Sequence, residues 1–267
     1  DGHRLIVVVG ALGDVTAYTR RVGDNGQLNE RALPPRIVAA LRALRVCGVF
    51  DGELVALDGE CSTDVTRLDR KDDLRLVLFD VLSINGTSAT TSSYEQRHAT
   101  LLKVVATAPV SKLAGCVELA PSFAVASQED VLTFVRGVWE RGGEGAILKR
   151  RSSTYQAGKR SHDWVKVKKV LHATMTVVGF EPSRGTVRFP GHPFAIVRLR
   201  DDAGNETTVK TKDDHALARF VEQANDPARF GDHPALGRRL VIEYQDRLAT
   251  GGYRHPRWDH WENDDAD

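Results

Sequence analysis

Four short segments of the 267-residue chain set charged residues inside or beside apolar runs. Asp51-Gly52-Glu53 precedes Leu54-Val55-Ala56-Leu57, Phe79-Asp80 follows Leu76-Val77-Leu78, and Glu144-Gly145 opens Ala146-Ile147-Leu148-Lys149. In the fourth, Lys166 and Lys168 alternate with Val165 and Val167. Side chains in a strand have a period of two, so Trp164, Lys166 and Lys168 point one way and the valines the other. Two lysines side by side repel, and the arrangement is cheapest on a solvated face or with an anion held between them. Each segment also has a plain reading: DGE as a hairpin turn, Phe79 as core, Lys-Val-Lys as a wet edge strand. A fifth feature is local charge. Between Lys149 and Lys169 stand Lys149, Arg150, Arg151, Lys159, Arg160, Lys166, Lys168 and Lys169 against the single acid Asp163, an excess of +7. Such a tract is a solvated loop, or a surface that binds phosphates without reading sequence.

The elements that must position these residues follow from periodicity. Arg4–Val9 reads as a buried strand, and Val15–Thr19 as its return after a turn at Gly10–Asp14. Pro34 and Pro35 open a helix with Ile37, Val38, Leu41 and Leu44 on one face. Strands are expected near Val49–Leu57 and Leu74–Leu82, and a helix over Ser93–Val105. Ser127 with Asp130 resembles a capping box for a helix that stops at Gly142-Gly143. Strands at Glu144–Lys149 and Trp164–Lys168 flank a polar loop containing Tyr155. From about Thr174 short strands dominate: Thr174–Phe180, Ala195–Arg200, Thr207–Thr211 and Arg239–Tyr244, with one helix at Asp214–Ala224. That pattern fits a small β-barrel, the oligonucleotide-binding barrel being one candidate. The boundary falls near Val170–Ala173.

Composition narrows the class. With 41% hydrophobic and 27% charged residues the chain has a real core and is not intrinsically disordered. Its longest strongly apolar run, Leu5–Leu12, is far shorter than a membrane span, and no signal-peptide pattern is visible. Cys47, Cys61 and Cys116 form no CxxC pair, which argues against a disulfide scaffold or zinc module and fits a reducing compartment. Net charge is only +1, so a nucleic-acid partner must be argued from local patches.

The order of the segments is more specific than any one of them. Asp1-Gly2-His3-Arg4, Thr19-Arg20-Arg21-Val22-Gly23, Asp51-Gly52-Glu53, Phe79-Asp80, Glu144-Gly145-Ala146-Ile147-Leu148-Lys149 and Trp164-Val165-Lys166-Val167-Lys168 occur in series. This series resembles the ATP-dependent DNA ligases of the covalent nucleotidyltransferase superfamily, whose motifs read KxDGxR, SRxG, DGE, a Phe-Asp strand, EGxxxK and a strand with two spaced lysines. Tyr253-Arg254-His255-Pro256-Arg257-Trp258 looks like the family's last motif, as in small phage and bacterial ligases. The sequence departs from the family after Trp258, where Asp259-His260-Trp261-Glu262 replaces further basic residues and an Asp-Lys pair. The nucleophilic lysine of KxDGxR is expected two residues before Asp1.

The resemblance implies an α+β chain: a nucleotidyltransferase (adenylation) domain of antiparallel sheets with flanking helices over 1–170, then an OB-fold β-barrel over 171–267. It implies ATP and Mg²⁺ as cofactors and nicked duplex DNA as partner. Sealing would pass through enzyme–AMP and DNA–adenylate intermediates. Lys166 and Lys168 are the implied catalytic cations on the α-phosphate. Asp1, Arg4, Arg20, Glu53, Phe79, Lys166 and Lys168 would bind nucleotide, with Phe79 stacking on adenine. Glu144 and Glu53 would hold the metal, since hard Mg²⁺ prefers carboxylate and phosphate oxygens. Arg20, Lys149, Arg150, Arg151, Lys159, Arg160, Arg254 and Arg257 would contact DNA. A monomer without membrane attachment, in the cytoplasm of a bacterial or phage-infected cell, is the matching expectation. The alternatives are a GTP-dependent mRNA capping enzyme or RNA ligase of the same superfamily, or a non-catalytic nick-binding module. An NAD-dependent ligase is not the expectation, because three scattered cysteines cannot build that class's four-cysteine zinc module.

Overall fold

The computed structural model describes residues 2–23, 25–56, 73–113, 115–159, 161–181, 196–210, 235–248 and 250–262. The helix expected at Asp214–Ala224, and site residues Asp1 and Arg160, lie outside the described residues. The chain divides into two compact units, residues 1–140 with 146–167, and residues 141–145 with 168–267.

The first unit is built on a mixed sheet of β1 (Gly2–Val9), β2 (Val15–Val22), β3 (Leu28–Glu30), β4 (Gly48–Ala56), β5 (Leu74–Ile84) and β6 (Thr87–Ser88) in the order β3-β2-β1-β4-β5-β6. A seventh strand, β7 (Val117–Leu119), runs parallel to β5. Alternation decides which face is core. Leu5, Val7 and Val9 of β1, Phe50 and Leu54 of β4, and Leu74, Leu76 and Leu78 of β5 are all buried on one side. Helix α1 (Pro35–Arg42) covers them with Ile37, Ala40 and Leu41, with Leu44 just beyond its end; Ala40 turns inward where Val38 was expected. Helix α2 (Tyr94–Ala106) adds Leu101 and Val104, and a one-turn α3 (Val110–Leu113) follows. The α2 start is fixed by a capping box in which Ser93 and Gln96 satisfy each other's backbone N–H groups. Emptying one of these fully buried leucine sites, such as Leu76, should cost ~2–5 kcal/mol.

Helix α4 (Gln128–Glu140) is capped by Ser127 and Asp130, whose side chains accept each other's backbone N–H at 3.1 and 2.9 Å. Strands β8 (Gly145–Lys149) and β9 (Trp164–Lys168) pair as a separate two-stranded sheet.

The second unit is a five-stranded antiparallel sheet of β10 (Leu171–Glu181), β11 (Ile196–Arg200), β12 (Glu206–Lys210), β13 (Arg239–Tyr244) and β16 (Arg257–Trp261), ordered β12-β11-β10-β13-β16. A hairpin of β14 (Asp246–Arg247) and β15 (Tyr253–Arg254) precedes β16. Met175, Val177, Val197, Leu199, Val209, Leu240 and Ile242 fill its inside. Among the described residues β12 and β16 are the sheet's two edges, yet Thr208, Val209 and Lys210 line one cavity of about 490 Å³ with Pro256, Arg257 and Trp258. The sheet is thus curled into a partly open barrel, the OB-fold expected from the short strands.

Candidate active site

DGE is not a hairpin turn. Asp51, Gly52 and Glu53 lie in the middle of β4, hydrogen-bonded between β1 and β5. Gly52 falls on the core side, where a Cβ would come within 2.8 Å of the Val77 carbonyl oxygen, so the close approach of β5 requires glycine. Asp51 and Glu53 point to the other face. Arg4 is opposite Glu53 in the β1–β4 register and shares that face. Arg20 lies exposed near the end of β2, where the register with β3 shifts between Tyr18 and Val22.

A β-bulge adds two more groups. Asp51 pairs with Asp80 and Gly52 with Leu78, leaving Phe79 as the extra residue. Leu78 and Val81 both remain buried in the core. Phe79 and Asp80 between them therefore both turn to the Arg4–Asp51 face.

Two acids anchor this face. Asp51, fully buried, takes Arg4 Nε at 2.9 Å and Nη2 at 2.5 Å, and the Tyr155 hydroxyl donates to it at 2.7 Å. The hydrogen bond to Asp51 raises the Arg4 pKa beyond its ordinary value, and burial followed by the Asp51 charge raises that of Tyr155. Asp80, also fully buried, takes Arg97 Nε at 2.8 Å and Nη2 at 2.9 Å. Arg97 is itself completely buried, and its Nη1 donates to the carbonyls of Ser92 and Ser153.

The space they frame is aromatic. The Phe79, Tyr94 and Tyr155 rings each meet Trp164 edge-on, with centroids 6.2–6.3 Å away. Lys149 Nζ lies 4.7, 4.6 and 4.1 Å from the Phe79, Tyr94 and Trp164 centroids and donates to the Phe79 carbonyl at 3.1 Å. Burial pushes its pKa down to about 8, against the pull of Asp80 and Asp51. The Arg4 guanidinium sits 5.5 Å from the Phe79 centroid and 5.6 Å from that of Trp164. The cluster thus sets aromatic rings against two cations, Lys149 and Arg4.

The +7 tract is not one surface. Lys149 turns its ammonium in among the Phe79, Tyr94 and Trp164 rings, apart from the exposed basic residues of the tract. Arg150 pairs with Asp163 and Arg151 with Glu95, although both guanidinium side chains stay about two-thirds exposed. Lys159 and Lys166 are exposed.

In the second unit Glu144 and Lys168 form an ion pair. Gly145, the first residue of β8, has φ +150, a conformation open to glycine, which accounts for the Glu-Gly step. His255 is within electrostatic reach of this pair: burial lowers its pKa, Arg254 and Lys168 lower it further, and Glu144 opposes them. Arg257 lines the cavity at the barrel opening, and Arg254 sits half-buried on β15.

Sequence reasoning missed Asp51, Asp80, Arg97, Tyr94 and Tyr155 as members of the site. The readable signal for the two aspartates was an acid inside an apolar strand; the arginine and tyrosines carried none.

Together the nucleotidyltransferase-type sheet and the partly open barrel define a two-unit architecture seen in other proteins. By fold the chain is similar to a Lig E DNA ligase structure (TM-score 0.70, 19% identity, covering 98% of this chain and 89% of that one). It is also similar to the ligase domain of LigD from M. tuberculosis (TM-score 0.55, 20% identity, covering 99% and 87%). Residues 1–168 match the family model for the ATP dependent DNA ligase domain, and the chain belongs to that family. A probable DNA ligase of Streptomyces coelicolor is 30% identical over 187 residues, 65% of this chain and 35% of that protein. The multifunctional non-homologous end joining protein LigD of Pseudomonas aeruginosa is 31% identical over 198 residues, 72% and 22% respectively. The chain spans about a third of the length of the first such relatives.

Proposed function

We propose that this chain carries the nucleotide pocket and OB-fold of an ATP-dependent DNA ligase that seals nicks in duplex DNA. The observation that carries the reading is the β5 bulge, which sets Phe79 beside Arg4, Lys149 and Trp164 on the polar face of the sheet. Phe79 would stack on adenine. Arg4, oriented by Asp51 and Tyr155, would hold the nucleotide with Arg20, and Asp1 would complete the motif. Glu53, on the same face, would bind the ribose hydroxyls or the metal.

Glu53 and Glu144 each carry the carboxylate oxygens that Mg²⁺ selects, and these two residues would hold that ion. When bound, Mg²⁺ supplies positive charge to the phosphate oxygens. Lys166 and Lys168 would act as the catalytic cations on the same phosphate, with the Glu144–Lys168 pair exchanging its internal contact for metal and phosphate. Arg20, Arg150, Arg151, Lys159, Arg160, Arg254 and Arg257 would contact the DNA backbone. The cytoplasm of a bacterial or phage-infected cell, and a monomeric state, complete the reading.

The resemblance expects the nucleophilic lysine before Asp1, so the test uses a nick that already carries AMP on its 5′-phosphate. The chain should seal it with Mg²⁺. Glu144→Ala should lower the rate about 10²-fold with the melting temperature unchanged. Phe79→Ala should weaken ATP binding, measured by calorimetry, about tenfold or more. Preference for GTP over ATP would move the protein to the capping enzymes. Absence of sealing with nick binding intact would make it a binding module.

A further inference from the structure

We propose that the outer face of the barrel holds one divalent transition-metal ion, of the Zn²⁺ class, on His172, Glu243 and Asp259, with His260 beside them. The site is independent of the nucleotide pocket.

Its placement follows from register. His172 of β10 pairs directly with Glu243 of β13, so both lie on one face; Ala173 and Ile242, on either side, pack inward. Across β13 and β16, Ile242 pairs with Trp258 and Val241 with His260, leaving Asp259 as the extra residue of a bulge. Trp258 and Trp261 both pack on the barrel core, their rings 4.8 Å apart and nearly perpendicular. Two inward indoles separated by two residues force Asp259 and His260 together onto the outer face, beside Glu243. Three adjacent strands thus bring one imidazole and two carboxylates together, with the His260 imidazole against Asp259.

Distances support a shared ion. The ligand atoms of His172, Glu243 and Asp259 all lie within 4.8 Å of one another. His172 Nε2 is 3.5 Å from Asp259 Oδ2, and His260 Nδ1 is 3.0 Å from the same oxygen. Tetrahedral donors at about 2.1 Å from Zn²⁺ stand roughly 3.4 Å apart, so the His172–Asp259 pair already has that spacing. Closing the third donor by about an ångström is within the reach of a glutamate side chain. Mixed imidazole and carboxylate donors suit Zn²⁺, Mn²⁺, Co²⁺ or Ni²⁺, whereas Mg²⁺ prefers oxygen alone. The bound ion would tie the last described strand to β13 and β10.

The test is a titration of the full chain, without a histidine tag and stripped by chelator, with CoCl₂ and ZnCl₂. One equivalent of Co²⁺ should produce visible d–d absorption, which one equivalent of Zn²⁺ removes and millimolar Mg²⁺ does not. His172→Ala and, separately, Glu243→Gln should each weaken Co²⁺ binding about tenfold or more, with circular dichroism unchanged. Absence of a d–d band, or a band that survives both substitutions, would overturn the proposal.

Discussion

Replacing Arg97 with alanine should unfold the first unit more readily than almost any other single change. The guanidinium and the Asp80 carboxylate are both wholly buried and meet through two parallel hydrogen bonds of 2.8 and 2.9 Å. Alanine leaves the Asp80 charge with the Val81 N–H, and removes the donor that serves the carbonyls of Ser92 and Ser153. Losing one partner of a buried pair costs about 3–5 kcal/mol, because the survivor cannot regain water. Lysine is not a conservative replacement, since one ammonium cannot span both carboxylate oxygens and two carbonyls. In urea, the transition of the first unit should move to much lower denaturant in Arg97→Ala, while that of the barrel stays in place as an internal control. A double variant, Arg97→Met with Asp80→Leu, should recover a large part of the loss by removing the orphaned charge. The consequence for function is separate: Asp80 adjoins Phe79 and draws on Lys149, so Arg97→Lys should weaken ATP binding even where the fold survives. A loss below about 1 kcal/mol in Arg97→Ala would refute the reasoning, for it would mean that water reaches Asp80.

Two further substitutions probe the charges. The folded-state pKa of Lys149 lies near 8, below its ordinary 10.5, so burial of the ammonium opposes folding below pH 8 and the penalty fades as pH rises from 8 toward 10.5. Lys149→Met should therefore be stabilising at pH 7 by at most ~3 kcal/mol, less the attraction of the three rings, with the gain vanishing near pH 10.5 in urea melts. Asp201 behaves oppositely: burial would raise its pKa, but hydrogen bonds from Asn205, Tyr253 and Arg247 outweigh this and hold it well below the usual range. Its contribution is present above about pH 4 and lost as the pH falls further, so Asp201→Asn should cost the barrel about 2 kcal/mol at neutral pH and flatten its acid unfolding limb.

Strand alternation and helix caps were legible because they are local. Leu5-x-Val7-x-Val9 and Leu74-x-Leu76-x-Leu78 state their own buried face, and Ser93 with Gln96 marks a helix start within four residues. The charged partners were not legible because each is chosen across the fold. Asp51 binds Arg4 from 47 residues away and Tyr155 from 104, and nothing near Tyr155 in its polar loop marks it as a strand's partner. Arg97 sits in an ordinary amphipathic helix pattern and would pass for a surface residue. The basic tract failed for a related reason: net charge over a segment does not say which side chains face solvent. Its first lysine is boxed by rings and two arginines are matched by acids.

The bulges are a middle case, and they show what could be read. A regular strand cannot bury residues i and i+3 on the same face, since its period is two. When both are nevertheless apolar and core-facing, one residue must be extra and the two between them share the opposite face. Leu78-Phe79-Asp80-Val81 and Trp258-Asp259-His260-Trp261 both have this form, one in each sheet. In the first, the slip places an aromatic ring and a buried acid side by side at the nucleotide face. In the second, it places a carboxylate and an imidazole side by side on the barrel. The apolar pair does the positioning in each, so shrinking a flanking residue should cost more than its volume: Val81→Ala leaves a void, but it also frees the strand to realign and withdraw Phe79 from the pocket.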